Sequence, residues 1–184
     1  GRAIEQEQEV QAFWHSSEYE IRYLSLDPKK SSRVVIDSEA RCVYTLDYTT
    51  GAHKWEFANG GVISAVFSTD IAKNGDVETL VASNNCLYIL DDEGKIMQEM
   101  HNISDHIHMI YGADIDDDRQ IEVLLGTDGK VLSAYKPLEK KKVWEHTFPN
   151  HFLAIDVADV DGDGRNEVLV GSEDKHLYIL DAIT

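Results

Sequence analysis

Residues 159–181 read DVDGDGRNEVLVGSEDKHLYILD. Asp159, Asp161 and Asp163 alternate, Gly164 follows them, and Glu167 precedes the short apolar run 168–170. The turn 171–174 leads into a second apolar run, 177–180. Short apolar runs separated by Gly, Ser and Asp signal a β-hairpin. An acidic loop therefore opens a pair of strands.

The same design recurs upstream. The strand endings CVYTLD, CLYILD, VLSAYK and HLYILD close at Asp47, Asp91, Lys136 and Asp181, at intervals of 44, 45 and 45 residues. The loop aspartates Asp70, Asp114 and Asp159 keep the same pace. Trp55 and Trp144 each stand 15 residues before a loop aspartate. Three independent markers with one period identify an internal repeat.

Each repeat carries a short apolar run before its acidic loop (62–67, 107–113, 152–158) and another after it (79–81, 123–125, 168–170). A Gly/Asn/Asp/Ser turn, the strand-ending run, a second turn and the tryptophan run follow. Four short strands in about 45 residues, without helical period, predict an all-β fold of β-propeller blades. A lone blade cannot bury both faces, whereas stacked blades can. The expectation is one propeller domain, or a partial one, over 1–184, with four four-stranded blades near 12–47, 53–91, 95–136 and 142–181. These form either a small ring or part of a larger one completed by another segment or subunit. Residues 1–11 are polar and outside the pattern.

The acidic loops suit a hard cation. Calcium takes six to eight oxygens, and carboxylates on a tight glycine-assisted loop converge on one point. In the fourth repeat the candidate ligands are Asp159, Asp161, Asp163 and Glu167, with the carbonyl of Arg165. The third repeats the set with Asp114, Asp116, Asp118, Glu122 and the carbonyl of Gln120, but carries Arg119 where the fourth has Gly164. The second keeps Asp70, Asn74 and Glu78 but has Ala72 in the middle position, a poorer donor set. The first has Lys29 and Arg33 at the ligand positions and binds no cation; its lysine replaces the ion's charge. An EF-hand is excluded: its twelfth loop residue is glutamate, and here it is Val170 or Leu125, inside a predicted strand. The metal's expected role is to stiffen a hairpin.

The DVDGDGRNEVLVG stretch resembles the FG-GAP/VCBS-type repeat of integrin α-subunit propellers and of cytosolic propellers such as Bardet–Biedl trafficking-complex and ITFG-like subunits. The LYILD…TG…W markers resemble PQQ-type repeats. The resemblance covers residues 12–184, loosely in the first repeat. It implies calcium at Asp159, Asp161, Asp163, Arg165 and Glu167, and by extension at Asp114 to Glu122. The chain lacks the Phe-Gly and Gly-Ala-Pro elements of an integrin ectodomain.

Composition narrows the function. The net charge is −17, from 34 acidic and 17 basic residues. Such a surface disfavours nucleic-acid phosphates and anionic membranes, and no apolar run is long enough to span a bilayer. Cys42 and Cys86 occupy equivalent positions of neighbouring repeats and are expected to be free thiols, which favours an intracellular setting. His101, His106, His108 and His151 invite a zinc reading, but no third ligand at fixed spacing accompanies the equivalent pair His106 and His151. Trp55, Trp144, Tyr44, Tyr88 and Tyr178 are repeat-equivalent and expected in the core. Asn102-Ile103-Ser104 fits a glycosylation sequon, and Lys140 to Lys142 form a solvated basic turn. No catalytic motif is found. The expectation is a non-enzymatic, calcium-binding propeller acting as a protein-interaction scaffold. The alternative is a fragment of a propeller enzyme, such as a PQQ-type dehydrogenase, or a carbohydrate-binding protein using the central channel.

Overall fold

The computed structural model describes residues 21–26, 33–38, 41–47, 50, 52–103 and 105–181, with backbone alone for 21–26 and 33–38. The described residues form fifteen strands. They are β1 (Ile21–Leu26), β2 (Arg33–Ser38), β3 (Cys42–Asp47), β4 (His53–Ala58), β5 (Ile63–Thr69), β6 (Glu78–Ser83), β7 (Cys86–Leu90) and β8 (Ile96–Met100). There follow β9 (Ile107–Ala113), β10 (Glu122–Thr127), β11 (Val131–Lys136), β12 (Lys141–Thr147), β13 (Phe152–Ala158), β14 (Glu167–Ser172) and β15 (Leu177–Asp181). Within each of the sheets β1–β4, β5–β8, β9–β12 and β13–β15, successive strands pair antiparallel. These are successive β-propeller blades, as the repeat predicts.

Two features differ from the sequence expectation. The blade bounds near 53–91 and 142–181 are offset by one strand from the sheets: β4, which carries Trp55, pairs with β3 and closes the first sheet, the last place that the strand order within each repeat gives the tryptophan run. Likewise β12, with Trp144, pairs with β11. The reason is local, since a short turn after each strand ending favours pairing with the strand just completed. The fourth sheet has three strands among the described residues, not four. The polar segment 1–11 and Lys29 lie outside the described residues, as does the side chain of Arg33.

Strands β1, β5, β9 and β13 begin their sheets and lie next to one another. Between consecutive sheets sit apolar layers. Val43, Phe57, Ile63, Val66, Val81 and Leu90 fill the first, with Trp55 and Tyr88 packed on it. Leu80, Leu87, Ile89 and Ile71 meet Ile107, Ile110, Val123 and Leu125 in the second. Leu124, Leu132, Ala134 and Ile115 meet Phe152, Val168 and Val170 in the third, beside Trp144 and Tyr178. The repeat-equivalent aromatics are thus core, as expected; Tyr44 joins Cys42 and Leu46 in a smaller cluster. Close approach is needed at Gly126, where a Cβ would stand 2.5 Å from the Phe152 ring.

The inner strands are also tied by polar contacts. The Tyr111 hydroxyl donates to Asp156 at 2.8 Å. Burial, with this bond as the second cause, holds the Tyr111 hydroxyl above its usual pKa.

The fourth sheet shows one face without a neighbour. Leu153, Leu177 and Ile179 are 67%, 63% and 53% exposed. Leu87 and Ile89, the equivalents of Leu177 and Ile179 in the second sheet, are fully buried under the third. Val160 is exposed, whereas its equivalents Ile71 and Ile115 are buried.

Candidate metal loops of the third and fourth sheets

The acidic loops connect the first and second strands of their sheets and lie at one edge of the array. Asn166 of the fourth loop donates its side-chain amide to the carbonyl of Asp114 in the third, at 2.9 Å. The backbone takes the same course in three loops. Lys73, Asp117 and Gly162 have positive φ, and so do Gly75, Arg119 and Gly164. Arg119 therefore adopts the left-handed conformation that glycine supplies in the other two, so the third loop keeps the shape of the fourth at the cost of some backbone strain.

One contact recurs in every described loop. Glu78 accepts the backbone N–H of Ile71 at 2.8 Å, Glu122 that of Ile115 at 3.0 Å, and Glu167 that of Val160 at 3.0 Å. Each glutamate begins the second strand and reaches back across the loop mouth. All three are buried. Burial, against the opposing pull of these backbone bonds, raises the carboxyl pKa of Glu78 and Glu122. The repeat glutamate is therefore a loop closure before it is a ligand, a role its spacing alone did not reveal. The second loop uses it without the middle carboxylate, since Asp70 accepts the N–H groups of Asn74 and Gly75, both at 3.1 Å.

In the fourth loop Asp159 accepts Gly162 N–H at 2.7 Å and Gly164 N–H at 3.0 Å. Asp161 accepts Asp163 N–H at 3.0 Å, and Asp163 accepts Arg165 N–H at 2.8 Å. These bonds hold the loop as a succession of aspartate-capped turns. They leave one oxygen each from Asp159, Asp161 and Glu167 within 4.8 Å of one another. Among the described residues no lysine or arginine is paired with these three carboxylates. An all-oxygen, uncompensated donor set is what a hard divalent cation fits. Asp163 stands on the same loop, outside the converging trio.

The third loop brings Asp114, Asp116 and Glu122 together in the same way, but a cation is already present. Lys136, the last residue of β11, places its ammonium 3.1 Å from Asp116 and 3.6 Å from Glu122, and in direct contact with Asp118. These carboxylates hold the lysine well above its usual pKa, with the Asp118 bond the leading cause. The same bond lowers the pKa of Asp118. Gln120 donates its backbone N–H to Asp118 at 2.8 Å. Lys136 is the residue that sequence reasoning missed. Its signal was a reversal of charge at the strand ending, where the other repeats have Asp47, Asp91 and Asp181.

The four histidines do not form one site, although two of them share a carboxylate. His106 and His108 each stand 3.2 Å from Asp128, at the end of β9 opposite the acidic loop. His101 instead lies between Cys86, 3.2 Å from its Nδ1, and Glu99, 2.9 Å from its Nε2. His151 contributes its backbone carbonyl to Ser172 Oγ and to Glu173 N–H. Neither cysteine forms a disulfide. Asn102 of the sequon is exposed; Ser104 lies outside the described residues.

No family model and no curated protein sequence matches the chain. Solved structures do resemble it. The N-terminal fragment BBS1N, crystallised in complex with ARL6DN, aligns at TM-score 0.69 with 17% identity over 93% of this chain and 55% of its own. BamB from Moraxella catarrhalis aligns at 0.63 with 19% identity over 91% of this chain and 48% of its own. The computationally designed Ika4 protein aligns at 0.70 with 12% identity over 90% of this chain and 93% of its own. The chain thus spans about half the length of BBS1N and BamB. At these identities the likeness is one of fold, and it is to β-propellers.

Proposed function

We propose that this chain is a non-enzymatic β-propeller scaffold for protein interaction, stiffened by calcium in its fourth acidic loop. The observation that carries the reading is the open face of the fourth sheet. Leu153, Leu177 and Ile179 lie exposed where the preceding sheets are covered by their successors. Burying each such side chain stabilises by roughly 1.5–3 kcal/mol. A further blade-type sheet, supplied by another propeller segment or by a partner subunit, fits this face because the same repeat positions already take one three times within the chain. BBS1N, which shares the fold, is crystallised in complex with ARL6DN, which supports a protein-interaction role in general. Calcium is supported by the converging oxygens of Asp159, Asp161 and Glu167. The unbridged thiols suit an intracellular setting.

The test is sedimentation velocity on the isolated chain and on the double variant Leu177→Lys, Ile179→Lys. Without its partner, the chain should cover the apolar face with a second copy and self-associate as concentration rises. The variant should remain monomeric with an unchanged circular dichroism spectrum. A chain that stays monomeric at all concentrations, or a variant that associates equally, overturns the reading.

A further inference from the structure

We infer that Lys136 is a built-in cation that closes the third acidic loop without metal, so that a divalent ion is taken by the fourth loop and not by the third. The third and fourth loops have the same backbone course, the same alternate aspartates and the same backbone bond from the repeat glutamate. They differ in what faces the carboxylates from the end of the third strand. In the fourth sheet the register partner of Glu167 is the acidic Asp181. In the third sheet the equivalent residue is Lys136, whose ammonium reaches Asp116 at 3.1 Å and Glu122 at 3.6 Å and touches Asp118.

The lysine is well placed for this. Its side chain is 15% exposed, and Glu122 is fully buried. The Oε1 atom of Glu122 has no hydrogen-bond partner, so the ammonium is the positive charge that answers it. A divalent ion among Asp114, Asp116 and Glu122 would lie beside that ammonium and be repelled by it. The third loop keeps the ligand residue types of a cation site and spends them on an internal ion pair. Such a loop is permanently closed, whereas the fourth responds to the ion.

The inference concerns the loops of the proposed function, and its test separates the two. Calcium is titrated calorimetrically into the wild-type chain, Lys136→Asp, Glu122→Gln and Glu167→Gln. Lys136→Asp restores the residue type found at Asp181. Wild type should take one ion per chain and Lys136→Asp two. Glu122→Gln should leave the wild-type stoichiometry unchanged, and Glu167→Gln should abolish binding. Two ions in folded wild type, or no added ion in folded Lys136→Asp, overturns the inference. Should Lys136→Asp not fold, loss of an ion from Glu122→Gln overturns it and an unchanged count supports it. No ion in wild type with one in Lys136→Asp would sink the calcium reading of the fourth loop while upholding the role of Lys136.

Discussion

Lys136 and Asp181 stand at the same place in adjacent repeats, each ending the third strand of its sheet beside the buried loop glutamate. One brings a positive charge to three carboxylates, and the other brings a further carboxylate. A single change of sign at this place thus sets how each loop is neutralised. The following outcomes are expected.

Lys136→Met should destabilise the chain by about 3 kcal/mol, because it leaves the fully buried Glu122 without its counter-charge. Urea denaturation at neutral pH measures this. Adding Glu122→Gln should recover much of the loss, since the amide needs no counter-ion and its oxygen still accepts Ile115 N–H. A double variant as unstable as Lys136→Met would place the effect elsewhere.

Calcium in roughly hundredfold excess over its dissociation constant should raise the melting temperature by roughly 5–10 °C, and EDTA should reverse it. Asp161→Ala removes one of the three converging oxygens and should blunt the response. A wild-type melting curve insensitive to calcium would remove the metal from the fourth loop.

Asp174 gives a pH test. The Tyr178 hydroxyl, 2.6 Å away, leads the contacts that hold its pKa at about 2, against an ordinary 3.8. A carboxyl with a depressed folded pKa contributes stability above its unfolded pKa and loses it as pH falls through the folded one. Tyr178→Phe should therefore be less stable than wild type at neutral pH, with the gap narrowing as pH falls from 3.8 toward about 2. A gap independent of pH would separate the effect from the Asp174 carboxylate, since the ring contact with Phe148, 5.1 Å between centres, is kept in Tyr178→Phe.

The two thiols should react differently. Cys86 lies 3.2 Å from His101 Nδ1 and is half-buried, while Cys42 is buried. Iodoacetamide followed by mass spectrometry should modify Cys86 first in the folded chain, and His101→Gln should slow it. Equal rates at both sites would contradict the burial of Cys42.

Gly126→Ala should cost about 2 kcal/mol, because the new methyl would stand 2.5 Å from the Phe152 ring in a packed layer between the third and fourth sheets. Thermal melting reads it. Gly162→Ala meets no neighbouring atom, and its cost should come from its positive φ alone.

The amino-acid order was sufficient for the repeat, the strand character and the acidic loops. Asp114, Asp159, Trp55 and Trp144 recur at one spacing because each sheet is built from neighbouring segments joined by short turns. The alternation of Leu177, Tyr178, Ile179 and Leu180 is a local property of an extended chain. Chain order left two places for the tryptophan strand, last in its repeat by strand order and first by the bounds 53–91 and 142–181, because a turn on either side permits two pairings until cross-strand contacts select one. It also left open the roles of Glu122 and Lys136. Their ion pair depends on the register that brings the end of β11 beside the start of β10, and on burial, which makes an unanswered charge costly. The open face of the fourth sheet arises in the same way. Leu177 and Ile179 carry the same kind of side chain as the buried Leu87 and Ile89, and only the presence or absence of a packed neighbour separates core from surface.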